Sequence, residues 1–122
     1  MKRMRRFAKA PLHRRPKPGV MNKTEAAYAE ELKAMQAAGV IHCWWYEAVK
    51  IRLTYDSCFL TPDFLVQLPD GTLEFHDVKG GPTEGDAAIK QKVLVDLFPF
   101  RLIEVRRRKG VWVRTEISGG EP

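Results

Sequence analysis

The sequence predicts an α/β fold, a mixed central β-sheet flanked by helices, behind a basic and flexible N-terminal arm. Three observations predict it. Leu68-Pro69-Asp70-Gly71 separates two apolar, alternating runs, and Asp-Gly in that setting marks a β-hairpin. Helical patterns bracket the hairpin, over 22–38 before it and 87–98 after it. An apolar run at 100–105 follows the second helix, so a right-handed crossover would lay it parallel to the second hairpin strand.

The elements follow in chain order. Residues 1–21 mix basic residues with Pro11, Pro16, Pro18 and Gly19 and read as an extended arm. Asn22, with Glu25 three positions on, forms a capping-box pattern, and Gly39 is a natural stop. Between them Ala26, Ala29 and Leu32 suit an apolar helix face. Residues 40–55 read as one or two strands, with Trp44, Trp45 and Tyr46 expected to pack, although such rings can also stack on bases. Glu47 reads as a bulge or surface residue. The hairpin strands are expected at about 57–67 and 72–79. A flexible loop is expected at 80–86, with Asp86 as N-cap of the next helix. In that helix Ile89, Val93 and Leu97 make one apolar line, beside Leu94 and Phe98, and Pro99 ends it. The strand at 100–105 leads into a cationic turn, Arg106-Arg107-Arg108-Lys109-Gly110, and an edge strand at 111–117 returns from it.

Composition bounds the function. The 122 residues make one domain, at 22–117, with a short tail at 118–122. Hydrophobic content of 44% and charged content of 30% are ordinary for a globular protein. No apolar run approaches the ~18–20 residues that span a bilayer. No apolar signal-peptide core is evident either, so no membrane association and a cytoplasmic location are expected. The net charge is +6 and unevenly spread: residues 1–20 hold eight basic groups, Arg14 and Arg15 among them, and no acidic one. A basic arm and a basic turn suit a polyanion, and both can equally be merely solvated. Cys43 and Cys58 form no metal-ligand pair and are expected to be buried, reduced thiols.

The chemistry-bearing residues lie on the hairpin. Side chains alternate along a strand, so Asp77 and Lys79 share one face while Glu74, His76 and Val78 take the other. His76 is therefore expected to be packed or hydrogen-bonded. Asp63 on the neighbouring strand can lie beside Asp77 and Lys79. Gathered carboxylates repel one another unless a cation sits among them, and hard divalent cations prefer oxygen ligands. A lysine beside such a site can hold a water or a phosphate.

Pro62-Asp63 followed by Asp77-Val78-Lys79, with the two acids 14 positions apart, resembles the signature of the PD-(D/E)xK nucleases. The order of elements, α-β-β-β-α-β over about 22–105, is similar to the restriction-endonuclease-like core of that superfamily. The compact spacing looks most like small phage-encoded endodeoxyribonucleases and junction-resolving endonucleases; for a phage protein the host cytoplasm would be the location. The resemblance implies an endonuclease dependent on Mg2+ or Mn2+ that leaves a 5′-phosphate and a 3′-hydroxyl. Asp63, Asp77, the Val78 carbonyl and Glu25 would hold the metal, and Lys79 would orient the attacking water. Glu25 has an ordinary alternative role as a helix cap. Lys90, with Lys92 and Gln91 behind it, would face the phosphate, and Arg106, Arg107, Arg108, Lys109, Arg14 and Arg15 would hold the DNA backbone. Action on branched recombination or repair intermediates would call for a homodimer. A non-catalytic nucleic-acid-binding or assembly protein on the same scaffold, or a basic structural protein, remains the alternative.

Overall fold

The computed structural model describes residues 19–82 and 85–118. In chain order these are helix α1 (Lys23–Ala37), strands β1 (Cys43–Tyr46), β2 (Ile51–Thr54), β3 (Cys58–Leu60), β4 (Phe64–Gln67) and β5 (Leu73–Lys79), helix α2 (Gly85–Leu97), and strands β6 (Arg101–Arg108) and β7 (Val111–Ile117). The fold is α/β. Five strands form one mixed sheet in the order β1-β4-β5-β6-β7, while β2 and β3 pair separately. β5 and β6 are parallel, as the crossover through α2 requires, and the other pairs are antiparallel.

Local chemistry explains the boundaries. The Asn22 carboxamide oxygen accepts the Glu25 N–H at 2.8 Å, and the Glu25 carboxylate accepts the Asn22 N–H at 3.0 Å. This reciprocal box satisfies two backbone donors that the first turn of α1 would leave open. Gly39 ends the helix with φ +79°, a conformation costly for any residue with a Cβ. In the hairpin, Gly71 takes φ +94° and the Asp70 carboxylate accepts the Thr72 N–H at 2.9 Å.

Strand alternation divides the core in two. On one face of the sheet Phe64, Val66, Ile103 and Val105 pack against Tyr28, Ala29 and Leu32 of α1. On the other, Phe75 and Leu102 pack against Leu94 of α2 and against Ile51 and Leu53 of β2. The small β2–β3 sheet and α2 thus cover one face while α1 covers the other. Trp44 and Tyr46 pack edge-on and tilted against Phe64, as expected of them, and Trp45 points outward, half-exposed. Among the described residues no helix is long and apolar enough to cross a membrane.

Five expectations require correction. The strand expected at 57–67 is two strands in different sheets, broken at Thr61-Pro62-Asp63, because a proline has no N–H to give a ladder. The apolar line Ile89-Val93-Leu97 is not the buried edge of the helix: Ile89 and Leu97 are 63% and 57% exposed and Val93 is only partly buried against the core, while Gln91 and Leu94 are buried. Both edges of that helix are apolar, so periodicity could not choose between them; packing on β2, β3 and β6 did. Asp86 lies inside the first turn of α2, not at its cap. The cationic turn is only Lys109-Gly110, since β6 continues through Arg106, Arg107 and Arg108 in register with β7. Cys43 and Cys58 are free but only half-buried. The arm with Arg14 and Arg15, and Thr83 and Glu84 of the expected loop, lie outside the described residues.

Candidate active site

The break at Pro62 creates the site. Pro62 is fully buried, and the chain there leaves the small sheet and enters the large one. The β4–β5 ladder ends at the pair Phe64 and His76. One residue further, side chains take over from backbone pairing. The Asp63 N–H donates to the Asp77 carboxylate at 2.9 Å, and the Val78 N–H donates to the Asp63 carboxylate at 2.8 Å. Asp63 also accepts the Glu47 N–H on its backbone oxygen at 2.8 Å, which ties the end of β1 to the same point. Glu47 sits there at φ +48°, one residue past the end of β1.

The second oxygen of Asp77 faces two donors. Gln91 on α2 donates through Nε2 at 3.4 Å, and the Lys79 ammonium lies at 3.8 Å. Asp77 and Gln91 are 4% and 3% exposed, so this is a dry corner between the sheet and α2. The opposite face carries Glu25: its carboxylate accepts the Tyr46 hydroxyl at 2.8 Å as well as the Asn22 N–H.

The electrostatics are uncompensated. Burial pushes the Asp63 carboxyl up to about 8; the neighbouring Asp77 adds to this, as does Glu25, while the Val78 N–H and Lys79 only partly offset it. Burial, then the Glu25 carboxylate, push the Tyr46 phenol upward. Among the described residues no three His, Cys, Asp or Glu side chains gather tightly enough to form a complete ligand group. The donor set nevertheless suits a hard cation: two carboxylates crowd one corner, and at least one is held where its negative charge lacks compensation.

Asp63, Asp77 and Lys79 therefore come together: Asp77 and Lys79 share a face of β5 as expected, while Asp63 lies not on the neighbouring strand but in the break just before β4, joined to β5 by hydrogen bonds of the two carboxylates. Glu25 lies within electrostatic reach, with one oxygen occupied by the cap and by Tyr46. Val78 contributes its N–H to Asp63, and its side chain packs on the α1 face. On α2 it is Gln91 that reaches Asp77; Lys90 is half-exposed beside it. The spacing of Gln91 to Leu94 and Phe98 is the signal that would have placed it first. The basic cluster is divided by the strand. Arg106 pairs with Glu104 at 3.0 Å and reaches the Gly81 carbonyl, whereas Arg107 lies over Trp112 at 4.8 Å. Arg108 and Lys109 are exposed. His76 is held by Tyr28 at 2.7 Å and Glu74 at 2.8 Å, a hydrogen-bonded core residue as expected.

Comparisons with protein-family models, with curated proteins and with solved structures found no match to this chain.

Proposed function

We propose that the chain is a metal-dependent endodeoxyribonuclease of the PD-(D/E)xK type. The observation that supports this most is the meeting of Asp63 and Asp77 beside Lys79, with the Asp63 carboxyl raised to about 8. The order of elements also supports it: a helix, an antiparallel hairpin with Asp77 on its second strand and Asp63 just before its first, a crossover helix and a parallel strand. That order resembles the one expected of a restriction-endonuclease-like core.

Asp63 and Asp77 would hold Mg2+ or Mn2+, with Glu25 adding negative charge nearby. A bound divalent ion supplies Lewis acidity and lowers the pKa of a coordinated water. The Lys79 ammonium stands where it can orient that water and hold charge that develops on a phosphate oxygen. Gln91 keeps Asp77 turned toward Lys79. The cations Arg107, Arg108 and Lys109, exposed near the same ends of the strands, suit a polyanionic backbone. A homodimer would place two such sites on opposed strands of a branched substrate.

One observation favours a second reading, a nucleic-acid-binding protein without catalysis. Both carboxylates already accept backbone N–H groups and brace the β4–β5 junction, which is a structural task. The test is cleavage of four-way-junction, flap, single-stranded and duplex DNA with Mg2+, with Mn2+ and with EDTA. Metal-dependent cutting that Asp77→Asn abolishes supports the nuclease. Binding without cutting under both metals supports the second reading.

A further inference from the structure

A basic pocket lies beside the acid cluster, on residues that the nuclease reading uses only in part. It is lined by Lys23, Thr24 and Ala27 of α1, by Lys79 and Gly80 at the end of β5, and by Arg107 near the end of β6, and it is an open cleft of about 290 Å³. Two cations, Lys23 and Arg107, and the Thr24 hydroxyl belong to residues that line this one cleft, with Lys79 at its edge, its ammonium 3.8 Å from Asp77; among the described residues no acidic one lines it. Among the same residues neither Lys23 nor Arg107 has an acidic partner. The Arg107 guanidinium is instead held over the Trp112 ring at 4.8 Å, which orders it.

The placement of Lys23 is unfavourable on local grounds. It is the first residue of a helix, where the macrodipole is positive and a cation is repelled. Arg107, another residue of the lining, adds like charge, and Lys79 stands at the edge beside Asp77. Such an arrangement is stabilised by an anion. The pocket also lies outside the carboxyl ends of the parallel pair β5 and β6, the end of an α/β sheet at which ligands bind. Gly80 backs directly onto Thr24: a Cβ there would stand 3.7 Å from the Thr24 hydroxyl, so the pocket wall at this point is bare backbone.

We propose that this pocket binds a phosphate group of a DNA strand, distinct from the one presented to Asp63 and Asp77. Lys79, whose ammonium is 3.8 Å from Asp77, connects the two. The pocket would fix the register of the strand, and Lys23, Thr24 and Arg107 would be positioning residues. The proposal rests on the nuclease reading for its link to cleavage, but phosphate binding in the pocket stands or falls separately.

The test is therefore made in EDTA, where no metal-dependent cleavage occurs. Binding of a (dT)6 strand with a 5′-phosphate, and of the same strand with a 5′-hydroxyl, is measured across a salt series. The proteins are the wild type, the variant Lys23→Ala/Arg107→Ala, and Lys33→Ala, which removes an α1 cation already paired with Glu30. The expected result is at least a tenfold weaker binding by the double variant and little change in Lys33→Ala. The salt slope of the double variant should be shallower by about 0.7, the value for one phosphate no longer neutralised on a single strand. Loss with both strands identifies an internal phosphodiester as the ligand; loss only with the 5′-phosphate strand identifies the terminal group. Equal binding by the double variant and Lys33→Ala, or no binding by the wild type, overturns the proposal. If the double variant does not fold, amide shifts of the wild type on adding (dT)6 decide. Shifts at Lys23, Thr24 and Gly80 support the pocket, and shifts confined elsewhere overturn it. Retained cleavage with no pocket binding would leave the nuclease reading intact and remove only this one.

Discussion

The two ends of strand β5 carry buried acids in opposite circumstances. At the start, Glu74 accepts His76 Nε2 at 2.8 Å and the Arg101 guanidinium at 2.9 Å. His76 is held in turn by the Tyr28 hydroxyl, which Arg114 contacts at 3.0 Å. With a proton on Nε2, assigned from this donor pattern, the ring donates to Glu74, and its Nδ1 faces the Tyr28 hydroxyl. The His76 hydrogen bond leads in holding the Glu74 carboxyl below its usual range, against the effect of burial. At the far end Asp63 and Asp77 share a corner whose nearest cation, Lys79, stands 3.8 Å from Asp77, and the Asp63 carboxyl is raised. One strand thus holds a closed network and an open one. A buried charge kept for architecture is paired; the raised Asp63 carboxyl is the contrast on which the proposed metal site rests.

Four measurements press on this contrast. The largest effect belongs to Asp77→Asn, which keeps an oxygen for the Asp63 N–H but removes a charge. Cleavage should fall by roughly a hundredfold or more, while the melting temperature stays near that of the wild type. Asp77→Ala should in addition cost about 1–3 kcal/mol of stability by stranding the Asp63 N–H. A variant Asp77→Asn that cuts normally would make the open end architectural too.

Glu74→Gln should show the reverse pattern, losing about 1–3 kcal/mol at neutral pH by unpairing Arg101 and His76 and retaining cleavage within a few-fold. Denaturant melts alongside cleavage rates check this. Cleavage abolished in a stable Glu74→Gln protein would erase the distinction between the ends.

The pH dependence of stability should differ in sign between the two. Asp63 has a folded pKa raised above its unfolded value. Its contribution is therefore complete below pH ~4, the ordinary carboxylate range, and is lost as pH rises toward about 8. Glu74 has a lowered folded pKa, so its contribution is present above the ordinary range and is lost as pH falls through the folded value. Melting of the metal-free protein from pH 4 to 8 should decline less in Asp63→Asn than in the wild type. Added Mg2+ should raise the wild-type melting temperature at pH 8 and leave that of Asp63→Asn unmoved. A Mg2+ response equal in the two proteins would place the cation elsewhere.

The smallest effect compares neighbours on α2. Gln91→Ala should slow cleavage several-fold by freeing the Asp77 carboxylate, and Lys90→Ala should slow it less. The opposite ranking would restore Lys90 to the place that the family resemblance implies.

Much of this was legible in the chain alone. Asn22 and Glu25, the Asp-Gly turn and the strand parity of Asp77, Lys79 and His76 are local rules, and each acted within a few residues. The crossover between β5 and β6 followed from handedness, which the chirality of the chain imposes everywhere. What escaped were choices among locally equal options. Either edge of α2 was apolar, and packing on Ile51, Leu53 and Phe75 selected the one with Gln91 and Leu94. Arg106 to Lys109 could have formed a turn, but pairing with β7 extended β6 and sent Arg106 and Arg107 to opposite faces. The desolvation of Asp63, and the pocket that joins Lys23 to Arg107 across 84 positions of sequence, exist only when distant segments meet. Backbone preference and alternation act between neighbours and are written in the chain; burial and charge proximity are properties of space, and the folded sheet supplies them.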